Sequence, residues 1–213
     1  MTKRFYQREV ITKLDWEKRN GHKGAVIWLT GLPSSGKTTI STAIEQKLFK
    51  ANVHVFRLDG DKMREGLNSD LGFSAEARTE NIRRAGEVAK LFFEAGMIVL
   101  AAFISPYRKD REKVRALFHK GDFIEVYVKA DIETCKKRDV KGLYKKALAG
   151  KIANLTGISG PYEKPLHPEI ILDTDKFSVV EEVNKVIKFL IAKKVIRSYL
   201  INTKFVVPAK AGT

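Results

Sequence analysis

The 213-residue sequence contains one cysteine, Cys135, and therefore has no internal disulfide framework. Folding without disulfides suits a reducing compartment, so we expect a cytoplasmic location. The sequence also has no apolar run of membrane-spanning length and no signal-peptide pattern, so we expect no membrane partner. Cys135 lies in a helix-like stretch, which favours core packing over a role as a nucleophile.

Acidic residues are outnumbered as well: 25 Asp and Glu stand against 40 Lys and Arg, which gives a net charge of +15. A charge of this size fits either nucleic-acid binding or an anionic small substrate. The basic residues are spread along the chain and form no arginine–aromatic platform. We therefore favour the small anion and expect no nucleic-acid partner.

The stretch from Gly31 to Thr38 has the form G-x-x-x-x-G-K-[ST] of a phosphate-binding loop. Its two glycines allow successive N–H groups to point at phosphate oxygens. Lys37 supplies a cation for the β- and γ-phosphates, and Thr38 supplies a hydroxyl for Mg²⁺. A chance glycine–serine turn is the alternative, but an apolar strand pattern precedes the loop and a helical pattern follows it. We expect a nucleoside triphosphate here.

Strand and helix patterns alternate from residue 24 onward, which predicts an α/β fold with a mainly parallel sheet covered on both faces. Ligands in such sheets lie beyond the carboxyl ends of the strands. We expect an N-terminal extension at 1–23, a domain at 24–194, and a tail at 195–213 whose apolar pieces are candidates for a subunit contact. The predicted strands are 25–30, 54–58, 97–104, 123–129 and 169–172, and the predicted helices are about 36–50, 75–95, 107–119, 131–139 and 176–193.

Two carboxylates, Asp59 and Asp61, follow the second predicted strand. They suit either Mg²⁺ and its waters or proton transfer from an attacking hydroxyl, although an Asp-Gly turn that caps a helix is an equally common reading. The third predicted strand ends without an acid. Metal and base chemistry therefore falls to Asp59 and Asp61.

A helix predicted from Ser74 as N-cap places Arg78 and Asn81 at the start of its core-facing side, where polar groups usually line a cleft. The neighbouring Arg83 and Arg84 fit a solvated surface. After the third strand, Ser105 precedes Pro106 and is expected to cap the next helix, although it also suits contact with an anion.

The segment 138–165 is cationic at first and then rich in Gly and Pro, which indicates a mobile lid. A lid excludes water and completes a cationic cage around a transferring phosphoryl group. Arg138, Lys141 and Lys145 are the candidate cage cations. A solvated basic helix is the alternative for Lys145.

Together these motifs resemble the adenylyl-sulfate kinase family over about residues 21–190. The resemblance implies a three-layer P-loop kinase fold. It also implies transfer of the γ-phosphate of ATP to the 3′-hydroxyl of adenosine 5′-phosphosulfate, with Mg²⁺. The segments that carry it are Gly31–Thr38, Leu58-Asp-Gly-Asp61 with Arg64, Leu71-Gly-Phe-Ser74, Arg78 with Glu80-Asn-Ile-Arg-Arg84, Phe103-Ile-Ser-Pro106, Lys141-Gly-Leu-Tyr144, Thr156-Gly-Ile158 and Pro161-Tyr-Glu163.

The resemblance also implies roles for single residues. Asp61 would receive or orient the hydroxyl proton, with Lys37 and Ser105 as further catalytic candidates, and Thr38 and Asp59 would support the metal. Phe73 would stack on the acceptor's adenine. The implied acceptor site comprises Asp59, Arg64, Phe73, Arg78, Asn81, Ile104, Ser105, Lys141, Leu143 and Leu155. The implied nucleotide site comprises Gly31, Leu32, Pro33, Ser34, Ser35, Gly36, Lys37, Thr38, Thr39 and Arg138.

Two positions depart from the family pattern. Ala77 stands where an aspartate usually precedes the arginine, and Leu155 stands where a phenylalanine usually forms a second wall around the adenine. An aliphatic wall gives up stacking worth roughly 1 kcal/mol, so we expect weaker acceptor binding, which Leu155→Phe would strengthen.

Two other functions compete with this assignment: another small-molecule kinase, such as a sugar or shikimate kinase, and a nucleotide-binding module without turnover. For the kinase we expect a homodimer and a functional link to ATP sulfurylase. The sequence shows no sulfurylase domain, so we expect the stand-alone form.

Overall fold

Five parallel strands form the centre of the computed structural model, which describes residues 10–201. The strands are β1 (Ala25–Thr30), β2 (Val55–Asp59), β3 (Ile98–Ala102), β4 (Phe123–Lys129) and β5 (Ile170–Asp173). The helices are α1 (Lys13–Asn20), α2 (Lys37–Lys50), α3 (Gly60–Glu65), α4 (Ala75–Glu94), α5 (Arg108–Arg115), α6 (Ile132–Arg138), α7 (Leu143–Leu148) and α8 (Val179–Ala192), and a 3₁₀ turn follows at Ser198–Ile201.

The strand order is β2-β3-β1-β4-β5, with every neighbouring pair parallel. Leu29 of β1 and Asp59 of β2 both lie in register with Ala102 of β3. This register brings the ends of the three strands to one edge of the sheet, where the segments that follow them form a cleft. The predicted parallel α/β sheet is confirmed.

Two apolar layers cover the sheet, one on each face, and β1 and β3 are therefore buried on both sides. One layer packs α2 and α8 against Ile27, Leu29 and neighbours, and the other packs α4 and α5 against Val26, Trp28 and neighbours. The first layer includes Val195 and Ile196, so packing continues past residue 194. Among helices of the described range, none has the length and apolar character to cross a membrane.

The N-terminal segment, predicted as an extension at 1–23, contains helix α1. Thr12 caps this helix in a reciprocal capping box with Asp15. Glu17 accepts a hydrogen bond from the Gly24 N–H at 2.8 Å, and Asn20 donates to the Gly96 carbonyl at 3.3 Å. Helix α1 therefore lies at the edge of the sheet where the strands begin.

Several predicted boundaries shift. The third strand ends at Ala102 rather than 104, the helix predicted to end at 119 ends at Arg115, and α3 and α7 are additional short helices. The tail beyond residue 201, including the apolar piece at 205–207, lies outside the described residues.

Candidate active site

The loop between β1 and α2 is shaped mainly by its backbone. A side chain on Gly31 would place a Cβ 2.4 Å from the Val128 carbonyl oxygen and 2.7 Å from the Ser35 hydroxyl. Gly36 has a φ of 101° and Ser34 a φ of 60°, in the left-handed region. The loop that leads into α2 is therefore packed too closely to admit any residue but glycine at position 31 without moving.

Lys37 extends over this loop, and its Nζ donates hydrogen bonds to the carbonyl oxygens of Gly31 at 2.9 Å and Leu32 at 2.6 Å. Burial lowers the pKa of its ammonium group to about 7, against the opposing influence of neighbours that include Asp61 and Asp59. An anionic phosphate would favour the charged form, because opposite charge raises the pKa of a lysine.

Asp59 is a buried carboxylate at the junction of β2 and α3. Its Oδ1 accepts from the Asp61 N–H at 3.0 Å, so it does cap a helix, as the Asp-Gly turn interpretation required. Its Oδ2 lies 3.5 Å from the Thr38 hydroxyl and accepts from Arg57 at 2.7 Å. The Arg57 guanidinium also pairs with Glu45, and sequence reasoning missed this contact. Arg57 lies two residues before Asp59, on the same face of β2, which was an available signal.

Asp61 and Lys141 form an ion pair across the cleft. Their side chains are 63% and 58% exposed, respectively, so this pair is open to solvent and contributes little to stability. Lys141 belongs to the segment 138–165, so this pair connects the predicted lid to the carboxylate proposed as the base.

Arg64 and Arg78 flank Phe73, whose ring is 61% exposed. The Arg64 guanidinium lies 4.5 Å from the ring centroid and donates to the Leu71 and Gly72 carbonyls. Arg78 donates to the Phe73 carbonyl at 3.1 Å and, across the cleft, to the Asn154 carbonyl at 3.0 Å. Within the described residues neither arginine has a carboxylate at ion-pair distance. Both positive charges are therefore held by backbone oxygens only.

Arg83 and Arg84 differ from those two because they are neutralised by acids. Arg83 pairs with Glu80 at 2.8 Å, and Arg84 pairs with Glu80 and with Asp70. These pairs lower the pKa of the Glu80 carboxyl to about 2. The surface role predicted for both arginines is confirmed.

Ser105 does not cap the helix that follows it; that prediction is wrong. Its φ of 39° is outside the extended geometry of an N-cap, and α5 begins later, after Tyr107. The buried Ser105 hydroxyl instead accepts a hydrogen bond from the Trp28 indole at 3.1 Å. The adjacent Ile104 is half-buried, and its carbonyl accepts from Thr30 at 2.7 Å. Roles for Ser105 and Ile104 toward a substrate stay predictions.

The start of the lid is tied to the phosphate-binding loop at two points. The Tyr144 hydroxyl donates to the Pro33 carbonyl at 3.0 Å, and burial raises the pKa of this phenol. Arg138 donates to the Thr174 hydroxyl at 2.9 Å, which in turn donates to the Ser35 carbonyl at 3.0 Å. Sequence reasoning missed Tyr144 and Thr174 as contacts of the loop, since each is distant from it in the chain.

The end of the lid is fixed to the other side of the cleft. The buried Arg111 pairs with Glu125 at 2.7 Å and donates to the Ser105 and Glu163 carbonyls. The Tyr162 hydroxyl lies 3.0 Å from the Thr30 hydroxyl. Both ends of the segment 138–165 are therefore anchored.

Leu155 packs inside the lid rather than along the cleft. It is only 5% exposed and belongs to an apolar cluster with Cys135 and Tyr144, against which Leu143 also packs. The pocket beside Phe73 and Arg78 is lined instead by Asn154 and Thr156. Direct contact of Leu155 with a substrate stays a prediction that requires the lid to rearrange. Cys135 is buried, as expected, and Lys145 is exposed to solvent.

Comparison with known proteins decides the family of the chain. Residues 23–173 match the family model described as adenylylsulphate kinase. The chain belongs to this family. An adenylyl-sulfate kinase of Geotalea uraniireducens is 57% identical over 84% of this chain and 86% of that protein, and one of Oceanobacillus iheyensis is 53% identical over 90% and 96%.

Among solved structures, that of the adenylylsulphate kinase of Mycobacterium tuberculosis in complex with AMPPNP and APS is similar to this chain. The identity is 40%, the TM-score is 0.76, and the match covers 79% of this chain and 98% of the other. The fold and family that the sequence motifs predicted are therefore confirmed.

The oxygen donors at the mouth of the loop suit a divalent cation such as Mg²⁺. Mg²⁺ prefers oxygen ligands and retains several waters. The Thr38 hydroxyl and Asp59 carboxylate supply two oxygens that converge at the mouth of the loop. Within residues 10–201, no group of three or more His, Cys, Asp or Glu side chains is placed to hold a metal ion.

Proposed function

We propose that the chain transfers the γ-phosphate of ATP to the 3′-hydroxyl of adenosine 5′-phosphosulfate, giving 3′-phosphoadenosine 5′-phosphosulfate and ADP. The observation that carries the proposal is a second cationic site opposite the phosphate-binding loop. Within the described residues Arg64 and Arg78 have no carboxylate at ion-pair distance there, and their guanidinium groups lie beside the exposed side chain of Phe73. An acceptor that combines an adenine with an anionic phosphosulfate matches both features.

On the donor side, the backbone of residues 31–38 would cradle the phosphates, with Lys37 and the start of α2 opposing their charge. Thr38 and Asp59 would hold Mg²⁺, which supplies charge neutralisation on the phosphates. Arg138 would contact the nucleotide, since it already reaches the loop through Thr174.

On the acceptor side, Arg64, Arg78 and Asn81 would hold the phosphosulfate and Phe73 would stack on the base. Asp61 would orient the 3′-hydroxyl and receive its proton, for which the Asp61–Lys141 pair must open. Phosphoryl transfer of this kind depends on positioning and charge stabilisation, so a covalent phosphoserine at the buried Ser105 is unnecessary.

A coupled ADP-release assay tests the assignment. We expect turnover with adenosine 5′-phosphosulfate and none with gluconate, with shikimate or without an acceptor. ADP release that does not depend on the acceptor, or the absence of release with every acceptor, would overturn the proposal.

Asp61→Asn tests the base. Removing a general base costs about 10²- to 10⁴-fold in kcat, and we expect little change in the KM of either substrate. Steady-state kinetics measure the split, and normal turnover in this variant would remove Asp61 from the mechanism.

Four further assignments are proposals. We propose a homodimer, to be checked by light scattering after size exclusion, and a functional link to an enzyme that supplies the adenylyl sulfate. We propose residues 24–194 as the catalytic unit. A cytoplasmic location is proposed because the donor substrate is ATP.

A further inference from the structure

Asn68 is a fully buried polar residue that the proposed reaction does not use directly. It lies between α3, which carries Arg64, and Phe73. Its Nδ2 donates to the Asn81 Oδ1 at 3.0 Å. Its own Oδ1 is buried and lacks a hydrogen-bond partner among the residues that the structure describes.

A role in folding does not account for this side chain. A buried acceptor without a partner costs about 1–3 kcal/mol, which an apolar side chain would avoid. Other groups already anchor the loop: Arg84 donates to the Leu67 carbonyl at 3.1 Å and pairs with Asp70. Among the described residues, the Asn68 side-chain amide makes one hydrogen bond, to the Asn81 Oδ1.

This hydrogen bond determines which end of the Asn81 amide is taken by Asn68. Asn68 occupies the oxygen of Asn81, and no acceptor within residues 10–201 takes its Nδ2. Asn81 lies one helical turn after Arg78, which lines the pocket. An anionic ligand accepts hydrogen bonds from an amide NH₂ and is repelled by an amide oxygen.

We propose that Asn68 is a positioning residue that holds the Asn81 amide with its NH₂ group toward the acceptor nucleotide. The inference rests on the acceptor contact proposed for Asn81. The inference explains how the Asn81 amide is oriented: a residue that does not touch the substrate sets its orientation.

Asn68→Asp is the decisive variant, because it keeps the shape but replaces the donor with an acceptor. The new carboxylate would attract the Asn81 NH₂ and turn the amide oxygen toward the cleft. We expect the KM for adenosine 5′-phosphosulfate to rise about tenfold, the loss of one hydrogen bond to a charged group, with the KM for ATP unchanged. Asn68→Ala removes the donor without adding charge and should give a smaller rise; it supplies the test if Asn68→Asp does not fold.

Asn20→Asp is a matched control. Asn20 likewise donates to an oxygen, the Gly96 carbonyl at 3.3 Å, and its Oδ1 is buried without a partner in the described range. It lies at the edge where the strands begin, away from the cleft. This variant should lose stability and keep both KM values, whereas loss of stability alone in Asn68→Asp would overturn the positioning role.

Asn81→Ala distinguishes the proposed contact of Asn81 with the acceptor from the proposed positioning role of Asn68. In that background Asn68→Asp should have no further effect on the acceptor KM. If Asn81→Ala alone leaves this KM unchanged, the proposed acceptor contact fails and the positioning role fails with it. If Asn81→Ala raises it and neither variant of Asn68 does, only the positioning role fails.

Discussion

The nucleotide side of the cleft is made mainly of backbone, whereas the acceptor side is made of side chains. At the loop, Gly31 has no room for a Cβ, and Lys37 is buried against main-chain carbonyls. Across the cleft, the Phe73 ring and the Asp61–Lys141 pair are exposed to solvent. The loop is thus buried and closely packed, while these groups of the proposed acceptor side are open to solvent.

The difference also concerns charge. Arg64 and Arg78 bond only to carbonyl oxygens within the described chain, whereas Arg83 and Arg84 are paired with acids. Carbonyl oxygens carry partial charge and leave a guanidinium free to attract an anion. We therefore expect side-chain charge to contribute more to binding on the acceptor side, and backbone geometry to contribute more on the donor side.

The largest effect is expected from Gly31→Ala. Its Cβ would overlap a backbone oxygen at 2.4 Å, so the loop must move. We expect ATP binding, measured by calorimetry, to weaken by roughly 100-fold or more.

Gly72→Ala is the control for Gly31→Ala, since a Cβ at Gly72 meets nothing within 4 Å. It should leave ATP affinity unchanged. Equal ATP affinity in the wild type and Gly31→Ala would show that ATP binding does not depend on the backbone geometry of the loop.

Arg78→Ala is expected to have a smaller effect, which is confined to the KM for the acceptor. Loss of a guanidinium bonded to an anion should raise the acceptor KM about tenfold or more and leave the KM for ATP unchanged. Arg83→Ala, which removes an acid-paired arginine of the same helix, should change neither KM by more than about twofold. A parallel rise in both KM values for Arg78→Ala would break the division of the cleft into two sides.

The smallest effect lies outside both sides, at His22. Its Nε2 accepts from the backbone N–H of His54 at 3.0 Å, so its Nδ1 carries the proton and donates to the Lys23 carbonyl. Burial is the main cause that lowers the pKa of His22 below 6.5; nearby His54 also lowers it, and Glu17 opposes the shift. The unfolded chain therefore binds more protons between the lowered pKa and 6.5, and stability should fall as the pH falls through that window.

Thermal melts between pH 7.5 and 5.5 measure this loss, which we expect to be a few degrees. His22→Gln, whose Oε1 keeps an acceptor for His54, should flatten the acid slope without changing either KM. An unchanged slope would place the acid sensitivity elsewhere.

The donor side could be predicted from sequence because its chemistry is local. Eight consecutive residues determine the loop, and the apolar strand before it determines its position. The acceptor residues on α3 and α4 were predicted by motif and helix periodicity. Contacts between distant segments could not be predicted in this way, because tertiary packing brings the partners together. Examples are the hydrogen bonds of Tyr144 to Pro33, Thr174 to Ser35, and Asn68 to Asn81. Ser105 was misread because a positive φ removed the cap geometry that its neighbour Pro106 suggested.

The carbonyl partners of Arg64 and Arg78 have a consequence for turnover. The product carries one more phosphate than the acceptor, so a site with bare cations would retain it too strongly. Here each guanidinium has backbone oxygens of its own at 2.9–3.1 Å. If both arginines bind the product as proposed, we expect them to return to these oxygens as it leaves. We therefore expect product release to exchange one set of oxygen partners for another, so that neither guanidinium is left desolvated without a partner.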